Sequence, residues 1–265
     1  MDENMLNEKL AGLPISGIRA FDVIGSTNDE ALAWCAQGSR DGCLVIADEQ
    51  TAGRGRFNRR WVTPRGTALA FSLIFIPSAA ETERLALFSP LGALAICHAL
   101  EDHLGLQPAI KWPNDVLLNG RKTAGILVEA AWLGGRLQGI VVGIGVNVSP
   151  AAAPPDDQVL FPATSIEQVL QRRVDRFDLL RAILKALFDW RARLHTPEFF
   201  AGWEQRLAFK HQWVKISPDS QQAAQEQTLT GELLGIDASG NLLLRLESGQ
   251  VKAISVGDVH LRPVL

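Results

Sequence analysis

The sequence predicts an α+β fold: a mixed β-sheet with helices, followed by a small all-β module. Three observations carry this. Helix-like and strand-like patterns alternate irregularly through the first three quarters of the chain. At 265 residues, 47% of them apolar, the chain exceeds what one core usually sustains, about 250 residues. Beyond residue 210 the texture changes to short strands broken by turns at Ala238-Ser239-Gly240 and Ser248-Gly249, as in a small barrel whose closure removes exposed edges. The expected division is 1–209 and 210–265.

The elements follow in order. Ser26-Thr27-Asn28-Asp29-Glu30 precedes an Ala/Leu/Trp segment and reads as a capped helix start. Residues 43–48 form a short strand, and 50–60 lack periodicity and form a loop. Residues 67–76 alternate Leu69, Phe71, Leu73 and Phe75 with smaller residues, the pattern of a half-buried strand. A helix over 85–104 must begin or kink at Pro90. Asn119-Gly120 and Leu133-Gly134-Gly135 are hairpin turns, the second leading into a strand over 136–148. Residues 149–162, with four prolines, read as a loop or disordered linker. Helices are expected over 177–194 and 197–207.

Composition excludes several classes. A net charge of −3 argues against holding nucleic acid by bulk electrostatics. The N-terminus is polar, and uninterrupted apolar runs such as 68–77 are too short to span a bilayer. Cys35, Cys43 and Cys97 are odd in number and lack paired spacing, which points to reduced thiols in a cytoplasmic protein. Five scattered histidines give no protein-built metal site.

Four segments hold the candidate chemistry. In the first, Gly53 and Gly55 let backbone approach a ligand, and Arg54, Arg56, Arg59 and Arg60 match a polyphosphate; a solvated basic loop fits equally well. In Lys111-Trp112-Pro113-Asn114-Asp115, Lys111 suits phosphate, and Asp115 suits a hydrated cation or a proton, although a simple Asx-Pro turn explains the same residues. In the third, Lys122 opens an apolar strand, placed either to hold an anion or merely to snorkel. In the fourth, Ile140, Val142, Ile144, Val146 and Val148 share a core face, while Gly143, Gly145 and Asn147 share the other. That stripped face accepts either a flat ligand or a close helix.

Together, STN at 26–28, EQTAGRGR at 49–56 with RW at 60–61, KWPNDVLL at 111–118, GRKTAGILVE at 120–129 and GIGVN at 143–147 closely resemble the catalytic core of biotin protein ligases. The resemblance spans 18–148 and continues loosely beyond. It implies a class II aminoacyl-tRNA synthetase-like catalytic domain with a small SH3-like C-terminal barrel. It also implies an activity: biotin and ATP, with Mg²⁺, give biotinyl-5′-AMP, and the biotin passes to a lysine of a biotin carboxyl carrier domain, as in acetyl-CoA carboxylase. By the same resemblance Ser26, Thr27, Asn28 and Gln50 line the biotin pocket, and Gly53, Arg54, Gly55 and Arg56 form a loop closing over biotin and its adenylate. Lys122 holds the biotin carboxylate and the attacked phosphate. Lys111, Asn114 and Asn147, with Arg56 and Arg59, lie on the nucleotide side, and Asp115 sits at the junction, a candidate to orient the carrier lysine or take its proton. Phe57 and Asn58 depart from the usual basic-glycine pair. Arg54, between two glycines, is expected to bridge to loop carbonyls or to a carboxylate of the body and hold the loop closed, unless it simply points into solvent.

Three rivals were weighed. A lipoate ligase usually carries an RRxSGGG loop, which this chain lacks. A biotin-responsive DNA-binding regulator needs an N-terminal module of about sixty residues, and only about 25 precede Ser26, so no sequence-specific DNA binding is expected. An RNA-binding protein would need an aromatic platform, and tyrosine is absent. Exposed sheet edges in such a fold can pair two copies into a homodimer.

Overall fold

The computed structural model describes residues 1–218, 228–255 and 259–263. The chain opens with α1 (Glu3–Lys9), β1 (Gly17–Ile24), α2 (Thr27–Ala36), β2 (Cys43–Gln50) and β3 (Ala68–Phe75). It continues through α3 (Ala79–Thr82), α4 (Phe88–Leu104), β4 (Ala109–Lys111), β5 (Asp115–Leu118), β6 (Arg121–Leu133) and β7 (Arg136–Asn147). Then come α5 (Ile166–Leu170), α6 (Arg176–Arg191), α7 (Pro197–Gln205), β8 (Trp213–Pro218), β9 (Leu229–Ile236), β10 (Leu242–Leu246), β11 (Val251–Ile254) and β12 (Val259–Pro263). Elements α1, β1, α3, β4 and α5 are not anticipated by the sequence patterns.

Among the described residues, β1–β7 form one mixed sheet in the order β1-β2-β3-β7-β6-β5-β4. Only the β1–β2 pair is parallel. The expected small C-terminal module is a second, antiparallel sheet in the order β11-β10-β9-β8-β12. Helices α4 and α6 cover one face of the large sheet and α2 covers the other. This corrects the half-buried reading of 67–76: all eight residues of β3 are buried. Leu69, Phe71, Leu73 and Phe75 join the larger core, while Ile74 joins a smaller one beneath α2. An alternating pattern there reports side-chain size, not a wet face.

Helix α4 is apolar on nearly all sides. With the turn before it, Leu85–Leu104 is long and apolar enough to cross a membrane, which uninterrupted-run counting overlooked. Here it is the core helix, between the sheet and α6 and α7. Pro90 sits in its first turn, where an N–H has no intrahelical partner to lose, and Gly105 ends it in the left-handed conformation (φ 67°). Both hairpin turns form with positive φ at Asn119, Gly120, Gly134 and Gly135, as right-twisted strands require. Residues 149–162 are a loop with two short 3₁₀ turns. It is fastened by Ser149 N–H to Thr67 O (2.8 Å) and Lys122 N–H to Pro162 O (2.8 Å). Cys35, Cys43 and Cys97 are free and buried.

The small sheet touches the large one at a point that matters for the site. Trp112, fully buried, donates its indole N–H to Gly240 O (3.2 Å) in the turn between β9 and β10. Asp237 knots that turn by accepting from Ser239 N, Asn241 N and Asn241 Nδ2 at 2.8–2.9 Å. Trp112→Phe removes the donor together with part of the buried bicyclic ring, leaving a carbonyl without its partner beside a small cavity. Urea unfolding should show a loss of about 2 kcal/mol; an unchanged midpoint would mean that the bond contributes nothing.

Candidate functional site

A cleft of about 630 Å³ opens beside the glycine-bearing face of β7. Its walls are the N-terminus of α2, the 50–62 loop, the 111–115 segment, β6, β7, the 149–162 loop, and Leu261 and Arg262 of β12. Of the expected site residues, all but Gly53 line it. Cations predominate, and among the described residues Asp115 is the one acid in its lining.

The polar end is built on a cap. Ser26 caps α2 by accepting from Asp29 N, which directs Thr27 and Asn28 inward, each 4% exposed. Gln50, at the end of β2, accepts from Thr27 N (2.8 Å) and Thr27 Oγ1 (3.1 Å) and donates to Thr63 (3.2 Å). Ser72, on buried β3, donates to Asn28 Oδ1 (2.6 Å) and lies 2.8 Å from the Thr27 hydroxyl. Asn28 Nδ2 donates to Glu129 (2.7 Å) and Leu127 O (3.2 Å). The Asn28 amide is thus bonded to protein at both its oxygen and its nitrogen. Ser72, Thr63 and Glu129 were missed in the sequence, since each looks like an ordinary strand or loop residue until the register places it.

The glycine face serves both readings at different positions. An added Cβ at Gly143 would fall 1.9 Å from Asn28 Oδ1, and one at Gly139 would fall 2.6 Å from Cys35 Sγ, so α2 needs these glycines to lie close. At Gly145 the clash would be with the Trp61 ring (2.3 Å), whose edge also lies over Gly125. A flat aromatic group of the chain itself therefore rests on the stripped face.

In the arginine loop, Gly53 packs inward: a Cβ there would meet Trp61 O at 2.5 Å. The Gly55 N–H donates to Arg59 O (2.7 Å). Phe57 takes the left-handed conformation (φ 60°), and its ring receives the guanidinium groups of Arg56 (4.8 Å) and Arg59 (5.7 Å). Arg56 also reaches Asn114 Oδ1 (3.5 Å). Arg54 forks onto Glu129 with two contacts of 3.1 Å and also meets Asp29. The carboxylate expected for it is thereby identified.

Across the cleft, Asp115 stands between two lysines. Lys111 Nζ is 3.0 Å from its Oδ2, and Lys122 Nζ is 2.5 Å from its Oδ1. Register explains this: Lys111 and Asp115 are partners across β4 and β5, and Lys122 lies on β6 next to β5. Aromatic rings flank the cations, Phe161 at 4.8 Å from Lys111 and Trp61 at 5.6 Å from Lys122. Asn114 Nδ2 donates to Ile126 O (2.9 Å), and Asn147 Nδ2 donates to Thr164 O (3.1 Å). Burial alone would raise the Asp115 carboxyl; the two ammonium groups outweigh it and hold it well below the ordinary carboxylate range. Such a group keeps its negative charge and is suited to orient the two lysines.

Because folding lowers this carboxyl's proton affinity, its contribution is full above its ordinary value of 3.8 and is lost only as pH falls through the lower folded value. Asp115→Asn leaves two lysines without their anion and should cost about 3 kcal/mol at pH 7. The gap from the wild type should persist to mildly acid pH and narrow only below the ordinary carboxylate range. A gap that closes on approach to neutral pH from below would contradict the assignment.

Residues 20–147 match the model of the biotin/lipoate A/B protein ligase family, and 223–262 match the biotin protein ligase C-terminal domain. The chain is 37% identical to the biotin–[acetyl-CoA-carboxylase] ligase of Paracoccus denitrificans, over 85% of this chain and 92% of that protein. It is 32% identical to the ligase of that name from Mycobacterium tuberculosis, over 99% and 96%. Among solved structures, the biotin protein ligase of Aquifex aeolicus in complex with biotin and ATP is similar, with a TM-score of 0.80 and 27% identity over 94% of this chain and all of that one. With this sequence similarity running through both the large sheet and the small one, the chain belongs to the biotin protein ligase family.

Proposed function

We propose that this chain activates biotin with ATP to biotinyl-5′-AMP and transfers the biotin to a lysine of a biotin carboxyl carrier domain. The observation that carries this is the cleft itself: a hydrogen-bonded polar end at Ser26, Thr27 and Gln50, joined to a cationic end at Lys111, Lys122 and Arg56. A neutral ureido ring suits the first, and a carboxylate meeting a triphosphate suits the second. The names of the relatives and the biotin- and ATP-bound Aquifex structure support the same reading.

In the first step a biotin carboxylate oxygen attacks the α-phosphorus of ATP and pyrophosphate leaves. Negative charge gathers at the junction, so fixed cations are the main requirement. Lys122 is aimed there by Asp115, and Arg56 by Asn114. Lys111, Asn114, Asn147 and Arg59 bound the nucleotide side. In the second step a neutral carrier amine attacks the anhydride carbonyl and AMP leaves. No protein nucleophile is required. Magnesium enters with ATP as part of that substrate. The catalytic unit is assigned to 1–209 and an accessory unit to 210–265.

Mass spectrometry of a carrier domain incubated with the protein, MgATP and an equal mixture of biotin and lipoate tests the reading. A biotin adduct on one lysine is expected; a lipoyl adduct, or none, would overturn it. Lys122→Ala should remove about 3–4 kcal/mol of transition-state stabilisation, so biotin-dependent pyrophosphate release should fall several-hundredfold. Near-normal release would exclude Lys122 from the reaction.

A further inference from the structure

The carboxylate of Glu129 has no part in the reaction just described, yet it lies where the two halves of the polar end meet. It sits on β6, opposite Val141 of β7, and its side chain is a quarter exposed. One oxygen accepts from Asn28 Nδ2 (2.7 Å) and from Arg54 (3.1 Å); the other accepts from Arg54 (3.1 Å). Asn28 is the second residue of α2, fixed from its other side by Ser72. Arg54 stands in the middle of the arginine loop, whose ends are tied by the Gln50–Thr63 bond and the Arg54–Arg60 backbone bridge. Glu129 therefore connects a rigid element, the cap of α2, to a loop otherwise tied to the body by Thr51 and Ala52 on the β1–α2 turn, by Arg56 on Asn114 and by Trp61 on β7.

We infer that Glu129 is a positioning residue for the arginine loop: by holding Arg54 and Asn28 on one carboxylate it sets the middle of the loop over the cleft relative to the cap of α2. The forked geometry matters. A guanidinium held by two parallel contacts is fixed in orientation as well as position, and a neighbouring amide on the same carboxylate limits its rotation. Asp29, more than half exposed, adds charge to Arg54, but among the described residues no second partner holds its carboxylate still. Retention of an intermediate by the closed loop rests on the function proposed above; the mechanical link between Glu129 and the loop does not.

The test uses the full chain. Glu129→Gln keeps an acceptor for Asn28 and loses the charge that holds Arg54. Without substrates, tryptic cleavage at Arg54–Arg60 should quicken about fivefold, as the partly exposed ion pair would allow, while the thermal midpoint stays near wild type. With biotin and MgATP, the half-life of enzyme-bound biotinyl-AMP should shorten about as much, and the rate of its formation should change less than about twofold. Arg54→Lys should act in the same direction, and the double variant should be no worse than either single one. Wild-type cleavage in Glu129→Gln, or additive effects in the double variant, would overturn the inference. If the wild-type chain forms no biotinyl-AMP, the proposed function falls, and the proteolysis arm still decides the role of Glu129.

Discussion

Asp115 keeps its negative charge in a nearly dry position because two ammonium groups reach it from two different strands. Removing Asp115 leaves two ammonium groups without their anion, and removing both lysines leaves a buried carboxylate unpaired; either costs several kcal/mol. That constraint fixes three things at once: the pairing of β4 with β5, the register of β5 against β6, and the distance between Lys111 and Lys122. The lysines are not available to wander, although each side chain has four rotatable bonds. A site built this way meets an incoming anion with cations already oriented, which is how preorganised charge lowers a barrier more than mobile charge can.

The opposite end of the cleft obeys a different rule. There most groups are neutral, and order comes from a chain of hydrogen bonds through Thr63, Gln50, Thr27, Ser72 and Asn28 that ends on the Glu129–Arg54 ion pair. Such a chain sits inside the protein only if α2 lies against the sheet with almost no intervening side chain. Gly139 and Gly143 supply that closeness, and a Cβ at either would strike α2. The glycines of β7 thus belong to the polar network as much as its donors do. At Gly145, where α2 no longer covers the strand, the space passes to the Trp61 ring.

Much of this was legible in the sequence where a local rule had one outcome. Asn119-Gly120 gave a hairpin, Ser26 gave a cap, and the alternation along β7 gave the right core face. The motifs brought the lysines, Asp115, Gln50 and the arginines to one place. Legibility failed where the answer depended on what lies across the sheet. The alternation in β3 could not reveal that both its faces are covered. Glu129 and Ser72 look unremarkable because their partners are 44 to 101 residues away in the chain. The basicity of Asp115 could not be judged either, because a carboxylate four residues from one lysine and seven from another is ordinary until register puts both on it.

The small C-terminal sheet shows how an element without catalytic residues can still be part of a site. Its turn at Asp237–Asn241 is knotted by its own side chains, so it presents Gly240 O at a set position without help from the large domain. Trp112 bonds to that carbonyl, and Trp112 is the residue directly after Lys111. A Cβ at Gly240 would lie 2.8 Å from the Trp203 ring of α7, so the turn is gripped from a second side. Leu261 and Arg262 then form wall on the cleft, with Arg262 donating to Leu160 O in the 149–162 loop. The chain between Lys111 and Asp115 is the tight turn of the β4–β5 hairpin. Ile126 N–H donates to Asn114 O and the Ser89 hydroxyl to Pro113 O on one side, and the C-terminal turn takes the Trp112 indole on the other, so the segment that spaces Lys111 from Asp115 is clamped between the large sheet with α4 and the small sheet.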